Sequence, residues 1–300
     1  MSKIITILRL LKKPTKMVLP MGQNGCFSWI PDDIYLKILY RCEVGTKLNL
    51  ENPKTFSEKL QWLKLNDRNP EYCSLVDKYI MKSIVKDRIG EDYVIPLLGV
   101  WDKAEDIDFD SLPDQFVLKC NHDSGGVVIC KDKRTLDKNA AINKLIKHLK
   151  KDAYIPSREW PYKNVHKVVF AEKLLVDNSE EDLIDYKFYC FGGEPKYCQV
   201  IKNRTTNETI DFYDLEWNLQ PFTGLGQGRP HGTYTSRPPC YEKMIEIART
   251  FAKGTRFVRI DLFNVNGHIY FGEFTLYPKS GLGFFKPEEW NERIGNMLLL

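Results

Sequence analysis

Arg259-Ile260-Asp261-Leu262-Phe263-Asn264-Val265-Asn266-Gly267-His268-Ile269-Tyr270-Phe271-Gly272-Glu273-Phe274-Thr275 is the stretch that decides the fold. Phe257 to Phe263 and His268 to Thr275 are rich in β-branched and aromatic residues. Asn264 to Gly267 between them is hairpin chemistry, because Asn-Gly supplies the positive φ that a tight turn requires. Each strand then carries one carboxylate, Asp261 and Glu273, and the two can face one another. Arg259 shares a face with Asp261 by the two-residue period of a strand. Two oxygen donors beside a guanidinium suit Mg²⁺ next to phosphate, so a nucleotide site is the first expectation. An acidic residue on the solvent face of an ordinary hairpin satisfies the same pattern, so other segments have to decide.

The second such segment is Phe116 to Cys130, where Lys119 stands near the end of an apolar strand and Asn121-His122-Asp123-Ser124-Gly125-Gly126 leads into another. A Ser-Gly-Gly turn between strands exposes backbone N–H groups in an anion-binding concavity, and Lys119 reaches the same anion as a point charge. A plain hairpin with a marginal lysine is the bland alternative. Neither G-x-x-x-x-G-K-[ST] nor a G-x-G-x-x-G between strand and helix occurs, which excludes the two most familiar nucleotide loops.

Composition narrows the partners. Forty-four basic and 40 acidic residues are spread over 300 positions, without the basic stripe of a nucleic-acid binder, so nucleic acid is not an expected partner. The eight cysteines form no C-x-x-C pair and sit in apolar runs, as reduced thiols of a cytoplasmic protein do, and five scattered histidines give zinc no support. Residues 2–16 are basic and amphipathic but too short in their apolar run to span a bilayer. They suggest peripheral contact with the inner face of the plasma membrane, against the alternative of packing on the protein itself.

Helical patterns dominate residues 31–90: one helix from Pro31-Asp32-Asp33, one from Thr55, and one from about Glu71 to Arg88 that stops at Gly90. Strand patterns follow at Val94, Phe116, Val127 and Val168, with a helix from Leu136 to Lys151. Further strands at Tyr186, Pro195 and Thr209 precede a helix from Pro239 to Lys253, the acidic hairpin and a terminal helix from Pro287. The class is α+β. The expected division is a helical region over 1–75, a small lobe with the phosphate loop over 76–175, and a lobe with the metal hairpin over 176–300. The Gly- and Pro-rich stretch Leu219 to Pro239 is the best candidate for a mobile flap or substrate loop.

Taken together, these residues resemble the ATP-grasp superfamily. Asp77-Lys78 with Lys82, the strand lysine Lys119, the loop His122 to Gly126, Glu172-Lys173-Leu174-Leu175, Asp185 with Lys187, Arg259-Ile260-Asp261 and Glu273-Phe274-Thr275 stand where that superfamily has its nucleotide and metal residues. Thr275 departs from the usual Asn. More narrowly the chain resembles the TupA-like group, through Pro31 to Leu36, Asn52 to Leu65, Phe116 to Gly126, Asp185 to Gly193 and Val258 to Gly281.

The resemblance implies an ATP-grasp fold and an ATP-dependent carboxylate–amine ligase working through an acylphosphate, with a role in surface-polysaccharide biosynthesis. Its implied substrates are a carboxylate-bearing sugar or polysaccharide precursor and an amine such as an amino acid. It implies Lys78, Lys119, His122, Asp123, Ser124, Gly125, Gly126, Glu172, Lys173, Leu174, Leu175, Asp185 and Lys187 around ATP. Asp261, Glu273 and Thr275 then hold Mg²⁺, and Arg259, Lys187 and Lys119 neutralise the transferring phosphoryl group. Lys279, Ser280 and Gly281, with Arg204, are candidates for the substrate carboxylate; Arg229, His231 and Arg237 are further candidates. Two alternatives stay open. One is a glycosyltransferase using Asp106-Ile107-Asp108 or Asp108-Phe109-Asp110, and the other is an ATP-binding scaffold without turnover.

Overall fold

A computed structural model describes residues 21–22, 25–178, 182–204, 206–225 and 234–300; residues 2–16, Arg229 and His231 lie outside the described residues. Four helices come first: α1 (Asp32–Glu43), α2 (Phe56–Asn66), α3 (Tyr72–Val76) and α4 (Met81–Ile89). A capping box opens α2, with the Thr55 hydroxyl accepting from the Glu58 amide and Glu58 accepting from the Thr55 amide. The pattern from Glu71 to Arg88 is periodic enough to read as one helix, yet the structure breaks it at Asp77. There the backbone is extended, and the carboxylate accepts from the amides of Tyr79 at 2.9 Å and Ile80 at 3.1 Å. A short acid that bonds the backbone ahead of it competes with helix continuation, and here it wins. The break brings Lys78 to the Asn121–Gly126 loop.

The first sheet joins β1 (Leu97–Trp101), β2 (Phe116–Cys120), β3 (Val127–Cys130) and β4 (Val169–Lys173) in the order β1-β4-β2-β3, all antiparallel. Phe116, Leu118, Val169 and Ala171 face a core closed by Leu145 of α5 (Lys138–Leu149). By strand alternation, Val117, Lys119, Phe170 and Glu172 occupy the other face.

The second sheet has the order β10-β9-β5-β6-β7, again antiparallel throughout. Its strands are β5 (Asp185–Phe191), β6 (Glu194–Lys202), β7 (Thr209–Tyr213), β9 (Phe257–Val265) and β10 (His268–Thr275). A short pair, β8 (Thr223–Gly224) and β11 (Phe285–Lys286), and a terminal helix α7 (Trp290–Gly295) complete it. Helix α6 (Tyr241–Ala252) buries Met244, Ile247, Ala248 and Phe251 on one face of this sheet. The large apolar side chains among these each stabilise the fold by about 1.5–3 kcal/mol. The Phe251 ring lies 5.0 Å from Phe271 and 5.3 Å from Phe274. Residues three apart on one strand reach the same helix only through an irregularity, and the β9–β10 ladder shifts by one between Phe271 and Glu273. Phe271 pairs with Leu262, and after the shift Phe274 pairs with Ile260 and Glu273 with Asp261. The aromatic runs from Tyr186 and Phe212 are core, as their alternation suggests; Trp217 stacks on Tyr213 with centroids 4.3 Å apart.

Candidate nucleotide and metal site

The ladder sets Lys187 of β5, Asp261 of β9 and Glu273 of β10 in one row across three strands, and Arg259 beside Thr275 one step along. This row lies on the face opposite α6. Asp261 is buried and is held bidentately by Arg259, at 2.6 Å to Nε and 2.7 Å to Nη2, while Lys187 closes on its Oδ2. Lys187 also lies 3.4 Å from Asp185, whose other oxygen pairs with Arg204. Glu273 is 3.3 Å from Arg259 Nη2 and 3.6 Å from Lys78 Nζ. Burial raises the Glu273 pKa, but Lys78, Lys187, Arg259 and Lys119 outweigh it and hold the carboxyl down to about 2. Thr275 accepts from Arg259 Nη2 at 2.9 Å.

The fit to Mg²⁺ follows from this donor set. Among the described residues no group of three or more His, Cys, Asp or Glu side chains could hold a metal ion. Two carboxylates and a hydroxyl are too few for an all-protein cage, but they suit Mg²⁺, which keeps phosphate and water oxygens in its octahedron. Asp261 has both oxygens committed to cations, Oδ1 to Arg259 and Oδ2 to Arg259 and Lys187.

Lys78 reaches the site from the break between α3 and α4. Its amide bonds to the Asn121 carbonyl at 3.1 Å, and its Nζ to the Asp123 carbonyl at 2.5 Å. Asn121 returns a bond to Asp77 at 2.9 Å, so the helix break and the loop are one hydrogen-bonded unit. Asp123 shapes the loop from within by accepting from the Gly126 amide at 2.9 Å and the Gly125 amide at 3.4 Å. Burial raises its pKa, and the ion pair with His148 together with those amides brings it below the ordinary value. Ser124 and Gly125 remain exposed at the loop tip. His122 is 2% exposed beneath the loop with neither ring nitrogen hydrogen-bonded, and burial pushes its pKa down against the pull of Asp123.

At the far end of β4, Glu172 gives one oxygen to Lys119 and the other to Lys82 at 2.9 Å. Burial raises its pKa, and the two lysines more than reverse that. Its carboxylate orients the two lysines. An open cavity of about 760 Å³ at this end of the sheet is lined by Leu98, Gln115, Lys131, Arg134, Lys173 and Leu174 among others. It reaches neither Asp261 nor Glu273.

The turn after β10, singled out in the sequence, has a backbone conformation that residue patterns alone did not reveal. Lys279 and Ser280 both adopt left-handed backbone, with φ 50° and 54°, at a cost of about 1–3 kcal/mol each. Helix α2 holds them there: Gln61 donates to the carbonyls of Ser280 and Gly281 at 3.0 and 2.8 Å, Lys64 to Ser280 at 2.8 Å, and Ser57 to Gly281. Lys64 also bonds to the Ser157 carbonyl at 2.8 Å. Burial drives its pKa to about 8, against the pull of Glu159, which itself accepts from Ser280 Oγ at 2.6 Å. The only hint in the sequence was the position of polar residues on the apolar side of α2.

Other candidates lie elsewhere. Arg237 pairs with Glu242 at the surface, and His166 with Asp102. Asp108 accepts from the amides of Asp110 and Ser111, which makes it a turn former.

The TupA-like ATPgrasp family model matches residues 58–299, and the chain belongs to that family. The fold is accordingly α+β of the ATP-grasp type. Comparison with curated proteins finds no match. Among solved structures, the D-alanine–D-alanine ligase of Bacillus anthracis complexed with ATP is 22% identical, with a TM-score of 0.38 over 68% of this chain and 55% of that one. The enzyme of that name from Helicobacter pylori is 12% identical, with a TM-score of 0.42 over 81% and 69%. The ATP-grasp ligase PsnB complexed with minimal precursor, Mg and ADP is 12% identical, with a TM-score of 0.38 over 84% and 64%. The chain therefore spans just over half the length of the first of these.

Proposed function

We propose that this chain is an ATP-dependent ligase that joins a carboxylate to an amine. The observation that carries the reading is the row Lys187–Asp261–Glu273, with Arg259 and Lys78 converging on it. Such an array neutralises charge and fixes positions, which is what phosphoryl transfer requires; no protein nucleophile is needed. A substrate carboxylate oxygen attacks the γ-phosphorus, the bond to the β-phosphate oxygen breaks, and ADP leaves. The amine nitrogen then attacks the acyl carbon, phosphate departs, and the nitrogen loses a proton to give the amide. Lys119, Lys187 and Arg259 meet the charge of the phosphoryl group, Lys78 and the exposed loop tip at Ser124 hold the phosphates, and Asp185 accepts from the ribose. Bound Mg²⁺, held by Asp261, Glu273 and Thr275, supplies Lewis-acid polarisation of the phosphate oxygens.

The turn Lys279–Gly281 receives the substrate carboxylate, with Arg204 near the nucleotide end. The substrates belong to surface-polysaccharide synthesis: a carboxylate-bearing sugar precursor and an amino acid, joined on the cytoplasmic side with residues 2–16 in peripheral contact with the membrane. Incubation with ATP, Mg²⁺ and panels of uronic-acid sugars and amino acids tests the reading. ADP and phosphate formed only when both partners are present support it. UDP released from a sugar nucleotide selects a glycosyltransferase, and ATP binding without turnover selects a scaffold.

A further inference from the structure

Helix α1 carries a surface that neither the nucleotide site nor the core uses. Tyr35, Leu36, Leu39 and Tyr40 face inward, so the outward strip is Asp33, Ile34, Lys37, Ile38 and Arg41. Ile34 and Ile38, one turn apart, are 47% and 41% exposed, and Trp29 just before the helix is 79% exposed. Burying Leu36 and Leu39 while leaving two isoleucines and a tryptophan in water is not what a helix exposed only to solvent requires. The base beneath the strip is rigid. The Arg158 guanidinium lies 4.2 Å from the Tyr35 ring and bonds to the Phe27 carbonyl at 2.7 Å and to Asp32, fixing the Trp29 turn to the helix.

We propose that this strip docks on an anionic lipid surface. Three observations select a membrane over a protein partner. Tryptophan beside aliphatic residues, interleaved with Lys37 and Arg41, is the composition of an interfacial contact, in which the rings sit at headgroup level and the cations meet phosphate. Two of the three acids on α1 are paired, Asp33 with Lys37 at 3.8 Å and Asp32 with Arg158, and the third, Glu43, stands at the far end of the helix from Trp29. The 28 residues of sequence before Trp29 carry Lys3, Arg9, Lys12, Lys13 and Lys16 and no acid, so this end of the chain is net positive. Among the described residues no helix is long and apolar enough to cross a membrane, so the contact is one of surface. This extends the membrane contact of residues 2–16 to a folded face and does not depend on the ligase reading.

The test is co-sedimentation of the full chain with vesicles of phosphatidylcholine alone and of phosphatidylcholine mixed with phosphatidylglycerol. Its comparison variant is Trp29→Ser, Ile34→Ser, Ile38→Ser, whose changes are all at exposed positions. The wild type pellets with the anionic vesicles and releases them at high salt, while the triple variant binds about tenfold more weakly, since affinity follows buried apolar area. Three results overturn the proposal: no binding by the wild type; equal binding by the variant, which assigns the contact to residues 2–16 alone; or a wild-type dimer that the variant dissolves, which makes the strip an interface between copies.

Discussion

Glu273 faces Asp261 because the ladder between β9 and β10 slips by one residue at Gly272. The Asn266-Gly267 turn alone sets Gly272 opposite Asp261 and would leave Glu273 on the α6 side. A Cβ at Gly272 would meet the Asp261 carbonyl oxygen and Phe263 Cε2, each at 3.0 Å. Gly272→Val is therefore expected to strain the bulge by about 1–3 kcal/mol, lowering both the melting temperature and the affinity for MgATP. A variant with unchanged affinity would show that the slip does not set the acids.

Thr275 stands where the superfamily commonly has Asn, and here it bonds to Arg259. Thr275→Val removes that acceptor at similar volume and should cost about 1 kcal/mol, or roughly fivefold in MgATP affinity. Thr275→Asn restores an oxygen donor and should bind at least as well as the wild type. Calorimetric titration of the three proteins separates a ligand role from a spacer role.

The pH dependence of stability follows from Glu273. Its carboxyl is held at about 2 against an ordinary 4.5, so the folded value lies below the unfolded one. The contribution is fully present above about pH 4.5 and is lost as pH falls towards 2. Unfolding measured across that range should show the gap between wild type and Glu273→Gln closing with acid. A constant gap would remove the electrostatic account of Glu273.

Lys64 makes no contact with the acids, yet it fixes the turn that follows them. Lys64→Ala leaves the Ser157 and Ser280 carbonyls short of a donor and should destabilise the protein by about 2–4 kcal/mol. The released turn should also become sensitive to protease at Lys279. Wild-type resistance in the variant would show that the left-handed pair holds itself.

The hairpin, the lysine strand and the order of helices and strands were legible because each rests on local chemistry: Asn-Gly for the turn, alternation for the strands, Thr55 with Glu58 for a cap. What escaped depends on partners distant in the chain. Asp77 breaks a periodic helix because Asn121 and two amides compete for it, and a bulge is invisible to a period-two reading. The Lys279–Ser280 turn needs three side chains of α2, more than 200 residues earlier, to overrule its backbone preference. Among the site residues, type and spacing pointed to Asp261, Glu273, Arg259 and Lys119, and the family resemblance added Lys187. That Glu172 spends both oxygens on lysines became visible only with the fold.

The most direct test is calorimetric titration of ATP into the wild type and Asp261→Asn, each with and without Mg²⁺. The wild type should bind ATP far more tightly with Mg²⁺. The variant should lose on the order of 3 kcal/mol of that gain, because Lys187 and Arg259 face no carboxylate and the ion has one ligand fewer. An Asp261→Asn protein that keeps the full Mg²⁺-dependent affinity would contradict the assignment of the paired acids to a metal–triphosphate site.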